Sequence, residues 1–494
     1  MTNKKRFFIN AALLSTTSVL MQTVGVSFNV WVSNKIGASG AGLYSLIMSV
    51  YVFAVTLANS GITLAATRLI SQSLASRDMS SCAKAALLSV FHGLFFGTLA
   101  FLLMFFGANV IGSVFLGDSR TVLCLRVLSL SLPFVGMSSA LSGYFTAVRR
   151  VAKSAAAQLF EQFVRICAVT IFFNRFMQND TARACVCLVA AGTLAEICSF
   201  LFIFFLYGID KRKHKINVGK KAPPLLQKLL GISLPVAFSA YLRSALRCLE
   251  HILIPKCLKM SVALSSAPLA LYGVVHGMVM PVLLFPSSFL GAFSSLLIPE
   301  ITEYQKLEKN YQIKRIMKKV YSATFIFSVC ASGIFLAFSK ELGMALYNNP
   351  DACLYIKLLA PLTIAMYVDS VTDAILKGIG EQVYSMHVNI IDAFLSVILT
   401  VILIPKYGIG GYIAVIYISE LLNLLLSLGR LIYITDFKIR LTEWLIKPIF
   451  MIASAVLPVQ LAASFYSDNI IKVVVSILSS ALIYLLLIKI VQTE

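Results

Sequence analysis

Apolar runs of roughly 20 residues, each closed by a short polar or basic stretch, recur from one end of the chain to the other. Runs of that length cross the hydrocarbon core of a bilayer. With no water there to satisfy a free backbone, each must be a helix. The pattern predicts an all-α polytopic membrane protein with about fourteen transmembrane helices, at 7–32, 42–67, 85–110, 121–148, 152–176, 182–207, 225–254, 268–297, 316–338, 351–377, 383–404, 408–434, 444–466 and 469–490. A basic linker at 209–224, with Lys211, Arg212, Lys213, Lys215, Lys220, Lys221 and a Pro-Pro pair, divides the chain. It separates an N-terminal lobe (1–208) from a C-terminal lobe (225–434), and 435–494 adds a final helix pair.

The two lobes read as copies. Gly42-Leu-Tyr44 opens the second span and Ala270-Leu-Tyr272 the eighth. Leu125-Arg-Val-Leu128 enters the fourth span and Ile356-Lys-Leu-Leu359 the tenth; Glu161 and Asp392 fall at nearly the same offset. An even number of spans per copy makes the repeats parallel, an arrangement in which transporters bind substrate between the halves and alternate access.

Composition agrees with the pattern. The 494 residues are 59% hydrophobic and only 13% charged, about half the charged share of a soluble domain. A net charge of +21 would suggest nucleic acid in a soluble chain. Here the cations fall in short segments at alternate ends of the spans, so topology and anionic lipid account for them and nucleic acid is excluded as a partner. Counting them places both termini, the linker and a basic loop at 306–319 in the cytoplasm. Arg68, Arg77, Lys84, Lys314, Arg315, Lys318 and Lys319 then either gather anionic headgroups or set topology alone. The basic start at residues 1–6 imitates a signal peptide. The apolar stretch behind it is too long and lacks a small-residue cleavage site, so it is expected to remain as the first span. The ten cysteines lie mostly in apolar runs without metal spacing and are expected as buried thiols. There is no GxxxxGK[ST] motif, no soluble insert large enough for a catalytic domain and no metal-binding pattern. The chain is therefore not expected to be an enzyme or to hold a cofactor, and transport would run on a gradient, with Na+ or H+ as candidate coupling ions, on the membrane potential, or downhill.

Charges inside the spans are the candidate chemistry, because a charge at bilayer depth costs about 2.5–3.5 kcal/mol and normally faces protein or water. Arg243 and Arg247 are four apart on one helical face, with Glu250 three further on. Guanidinium forks bind phosphate oxygens bidentately, so the pair suits a diphosphate; the alternative is a structural latch with Glu250. Glu161 and Arg165 have the spacing of an intrahelical ion pair, and Asp369, Asp373 and Lys377 repeat it. Asp392 and Glu420 are isolated acids in apolar helices. Such acids stay protonated or meet a cation, which makes Asp392, Glu420, Asp369, Asp373 and Glu161 the coupling-ion candidates. Glu196 is set aside as peripheral. Of the scattered histidines, His276 alone is expected near a substrate.

Five stretches carry a family resemblance. Gly143-Tyr-Phe-Thr-Ala-Val-Arg-Arg150 runs on to Ala157-Gln-Leu-Phe-Glu-Gln-Phe-Val-Arg165; Lys35-Ile-Gly37 leads to Gly42-Leu-Tyr44; Leu271-Tyr-Gly273 is followed by Phe285-Pro286, Ile298-Pro-Glu300 and Ile404-Pro405 with Tyr407-Gly408. In order and spacing they resemble the stage V sporulation protein B-like branch of polysaccharide flippases in the MATE/MurJ-like (MOP) superfamily. The resemblance implies two six-helix lobes around a central cavity, two extra helices forming a groove for a lipid tail, and a lipid-linked saccharide as cargo. Lipid II flippases of this superfamily carry arginine in the middle of the first span. Here that span offers Gln22 and Asn29, leaving Arg243 and Arg247 as the main cationic contact. The expected activity is flipping of a lipid-linked glycan precursor across a bacterial cell membrane, among membrane lipids and cell-envelope synthesis enzymes. A MATE-like cation-coupled exporter of small organic cations is the alternative, and a non-transporting scaffold a third class.

Overall fold

Leucine, isoleucine, valine and phenylalanine runs without a soluble face fold here as long helices closed at glycine, proline and cationic turns. The computed structural model describes residues 3–59, 61–75, 79–176, 180–213, 225–261, 268–463 and 470–493. Among them every regular element is helical. The first part of the chain forms α1 (Asn3–Asn59), α2 (Ile62–Ala75), α3 (Met79–Asn109), α4 (Arg120–Ser129), α5 (Leu132–Ala147), α6 (Val151–Phe176), α7 (Thr181–Lys213) and α8 (Leu225–Met260). The second part forms α9 (Pro268–Tyr272), α10 (Met280–Leu284), α11 (Ser287–Lys306), α12 (Asn310–Ala337), α13 (Ser339–Tyr347), α14 (Pro350–Leu359), α15 (Leu362–Ile379), α16 (Gln382–Tyr407), α17 (Ile409–Thr435), α18 (Lys447–Ala463) and α19 (Ile470–Thr493). Wider π-helical turns occupy Val110–Phe115, Gly273–Val279 and Thr442–Ile446.

Among the described residues ten helices are long and apolar enough to cross a membrane, or twelve if each of two bent pairs is one span. The fourteen expected from the apolar pattern differ from this at two places. The first two expected spans share α1, whose backbone breaks at Gly37 (φ 70°, ψ 178°), a conformation open to glycine. The eighth is cut by the turn at Gly273–Val279 and again before Ser287 at Pro286. Residues 209–213 of the expected linker continue α7; its remainder, 214–224, with Lys215, Lys220, Lys221 and the Pro-Pro pair, lies outside the described residues, as does Arg77. The expected basic loop at 306–319 is helical from Asn310, since Lys and Arg are good helix formers.

The chain forms two compact units. The first combines Met1–Thr17 with Leu43–Leu253, the second Ser18–Gly42 with Ile254–Glu494. Compactness thus groups 18–42 with the second unit and 225–253 with the first, where the linker-based division keeps them apart. Within the first unit α8 is held to the second half of α1: the Tyr241 hydroxyl donates to Leu57 O (3.2 Å), and the Thr56 and Ser244 hydroxyls meet at 3.1 Å. Within the second, Gly42 and Gly273 let backbones touch. A Cβ on Gly273 would lie 2.1 Å from Ala38 O, and one on Gly42 2.1 Å from Leu269 O. Both glycines belong to the stretches that carry the family resemblance.

The internal repeat is visible in local geometry. α4 and α5 bend by 41°, α14 and α15 by 56°, and the bends fall at corresponding positions before Leu132 and Leu362. Backbone carbonyls freed at such breaks must find donors inside the protein. Thr193 Oγ1 donates to Val127 O (3.2 Å) in one unit, and Ser332 Oγ to Ala360 O (3.0 Å) in the other. A second contact recurs with the same separation of 76 residues: Thr67 to Gly143 O at 3.1 Å and Thr302 to Gly378 O at 2.9 Å. The last helix pair docks on α12, where the Tyr484 hydroxyl donates to Ile326 O (2.9 Å) and Gln460 Nε2 to Ala337 O (2.6 Å).

Candidate functional site

α8 packs in its own unit through Leu229, Ser233, Ala237 and Cys248, spaced by about one or several helical turns. Arg243 and Arg247 lie beside that stripe and are exposed. Arg247 reaches Glu250, with Nη1 3.4 Å from Oε2, and Glu250 is buried. Part of the latch is therefore present. Arg243 pairs with no carboxylate among the described residues.

The middle of α1, residues 18–42, belongs to the second unit. Gln22 and Asn29 are half-buried there, and the buried Asn29 Oδ1 has no hydrogen-bond partner among the described residues. His276 sits in the π-helical turn with its ring stacked on Tyr272 at 5.3 Å. A π turn widens the helix and rotates the side chains that follow, a device frequent at functional sites.

In the first unit Arg165 Nη2 lies 2.6 Å from Glu161 Oε1 and 3.7 Å from Glu196 Oε1. The intrahelical pair expected from spacing forms, and Glu196, expected to be peripheral, joins it from α7. Two carboxylates thus share one fixed guanidinium.

In the second unit α15, α16 and α17 bring Asp369, Asp373 and Asp392 together. Asp373 pairs with Lys377 at 2.5 Å and accepts a hydrogen bond from Ser385. Asp392 is only 1% exposed and accepts from Ser419, whose hydroxyl also meets Ser396 at 2.8 Å. Asp369 lies among Asp373, Asp392 and Ser427, and its buried Oδ1 has no partner among the described residues. Glu420 follows Ser419 on α17 and is half-buried. Small polar positions on the buried face of α17 recur every four residues as Ser419, Asn423 and Ser427. That spacing was legible, but its pairing with Asp392 needed the packing.

Asp210 was missed by sequence reasoning. It lies in the last turn of α7 at 1% exposure and accepts hydrogen bonds from the Tyr144 hydroxyl (3.0 Å), Lys153 Nζ (2.7 Å) and Arg150. Two of those donors belong to the 143–150 stretch that carries the resemblance, so that stretch closes one end of the first unit. A lone acid before Lys211-Arg212-Lys213 was the available signal.

The solved structures place this architecture. A multidrug resistance MATE family transporter of the MOP superfamily, in an inward-facing conformation, superposes with a TM-score of 0.68 at 14% identity, covering 87% of this chain and all of that one. A MOP superfamily transporter from Pyrococcus furiosus, described as having a binding pocket of reverse polarity, gives 0.63 at 15% identity over 87% of this chain and 96% of its own. Among curated relatives, stage V sporulation protein B of Bacillus subtilis is 24% identical over 89% of this chain and 86% of its own length. The lipid II flippase MurJ of Bacillus subtilis is 22% identical over 83% and 80%. The apolar helices and these relatives together make the chain a multi-pass membrane protein of transporter fold. The family described as "Polysaccharide biosynthesis protein" matches residues 8–305, more than half of the sequence, and this chain belongs to it.

Proposed function

We propose that this protein flips a lipid-linked glycan precursor, of peptidoglycan or polysaccharide type, across the bacterial cell membrane by alternating access, with the two repeats as moving bodies. It performs no covalent chemistry. Family membership and the relatives named as a sporulation protein and a lipid II flippase support the cargo class. The observation that carries the reading is Arg243. An arginine in the middle of an apolar helix, exposed and without a carboxylate among the described residues, cannot face hydrocarbon without a cost of about 2.5–3.5 kcal/mol, so it faces water or an anionic ligand. Arg243 and Arg247 hold the diphosphate; Glu250 orients Arg247; Gln22, Asn29 and His276 contact the sugar. The lipid tail rides in the bilayer or along α18 and α19. A proton or Na+ enters at Asp369, Asp373 and Asp392, with Glu420 and Glu161 as further carriers, and both termini are cytoplasmic. Cell-envelope synthesis enzymes deliver and receive the cargo.

The test is reconstitution in liposomes with a fluorescent lipid-linked disaccharide, with and without an imposed gradient. Arg243→Ala inserts normally and loses at least about tenfold in flipping rate, equivalent to about 1.4 kcal/mol of lost ligand interaction. A wild-type rate in that variant makes Arg243 structural. The alternative, a MATE-like exporter of small organic cations, draws on the fold likeness to multidrug transporters. It requires an acidic binding surface, which two arginines oppose, and it predicts efflux of an organic cation by the same liposomes.

A further inference from the structure

The second unit contains a cavity of about 870 Å³ that neither the flipping reaction nor the coupling acids use. It lies where α12 begins, where α17 ends and where the turn at Thr442–Ile446 leads into α18. Three apolar helices therefore reach the same membrane face around it, so its mouth is at the boundary between headgroups and water.

Its wall is graded. Arg315, Lys318 and Lys319 stand on the first turns of α12, Lys438 on the facing loop, and Ser322 and Ile326 follow one and two turns deeper. The floor is aromatic: Phe437 and Trp444 line it, stacked at 6.1 Å, and the buried Tyr321 backs Phe437 at 5.6 Å. Lys314 leans on Asp436 (3.7 Å) and Arg440 on Glu443 (3.1 Å). Arg315, Lys318, Lys319 and Lys438 have no carboxylate partner among the described residues. A surface needing only the correct topology has no reason to be concave, aromatic-floored and graded from cation to apolar side chain within three turns. Those are the properties of an amphiphile's binding site: charge for a phosphate, a hydroxyl below it, then an apolar wall for the upper acyl chain.

We propose that this cavity binds the headgroup of an anionic glycerophospholipid as a resident lipid rather than as cargo. Such a lipid sets its phosphate among the four cations and ties α12 to the loop before α18. The proposal stands whatever the transported substrate is.

The chain has two tryptophans, and Trp444 lines the cavity. Trp31→Phe therefore leaves a single fluorophore at the proposed site. The variant is reconstituted in zwitterionic vesicles carrying small, equal fractions of phosphatidylglycerol or phosphatidylcholine brominated on the upper acyl chain. The brominated anionic lipid is expected to quench Trp444 at roughly a tenfold lower fraction than the zwitterionic one. In the Arg315→Gln, Lys318→Gln, Lys319→Gln background that preference is lost while quenching by phosphatidylcholine is retained. Should the triple variant not reconstitute, Lys438→Gln with Arg440→Gln carries the same test from the loop side, with a smaller loss of preference. Equal quenching by the two lipids overturns the proposal, as does a preference that survives the charge removals. Release of the quench by pyrophosphate assigns the cavity to a soluble polyphosphate and overturns it as well.

Discussion

The two units hold acids inside their helix bundles and neutralise them differently. In the first, Glu161 and Glu196 flank Arg165, a cation that is part of the protein and cannot leave. In the second, Asp369, Asp373 and Asp392 are answered mainly by hydroxyls, with Lys377 pairing only with Asp373. The two units thus share a bend at corresponding positions and the same Thr-to-Gly carbonyl contact while differing at the acids. A fixed guanidinium makes a structural centre, whereas a carboxylate with a partnerless buried oxygen needs a proton or a cation from outside. Under the proposed function, the contrast assigns coupling to the second unit.

Three perturbations sharpen or break this contrast. The largest effect is expected for Arg165→Leu, which strands two carboxylates. It should cost about 2–3 kcal/mol, less than for a fully dry pair because Arg165 is partly exposed, and thermal unfolding in detergent measures it. Adding Glu161→Gln and Glu196→Gln should recover most of the loss; no recovery means that Arg165 serves something other than the acids. Next, Asp369→Asn should leave the unfolding midpoint within about 0.5 kcal/mol of wild type while making flipping insensitive to the imposed H+ or Na+ gradient. Retained gradient dependence in Asp369→Asn, with loss in Glu161→Gln, would reverse the assignment of the two units. The smallest effect is expected for Ser419→Ala, which removes one donor from buried Asp392 and should cost about 1 kcal/mol of stability.

The intrahelical pairs were legible because they depend only on spacing. Glu161–Arg165 and Asp373–Lys377 are four apart, and both form. Contacts between helices were not legible. Glu196 reaches Arg165 only through the packing of α6 against α7, and Asp210 collects Tyr144, Arg150 and Lys153 from sequence distances of 57 residues or more. The count of spans was blurred at 33–41, where a short polar stretch between two apolar runs stays helical apart from the break at Gly37, and around Pro286, where the backbone breaks within an apolar run. Hydrophobicity cannot register the break at Pro286 because the side chains on both sides remain apolar.

The amino-acid pattern by itself determined that this is a helical membrane protein built as a repeat. Bilayer thickness and the ban on unpaired backbone leave no other solution for runs of this length. It also supplied the ordered stretches by which the chain resembles its family. Tertiary structure alone decided which charges meet and which face outward, and that cations on α12 and on the loop before α18 converge on one aromatic-floored cavity. Side-chain neighbours across helices are set by helix rotation and by close contacts at residues such as Gly42 and Gly273, and a one-dimensional pattern carries no record of rotation.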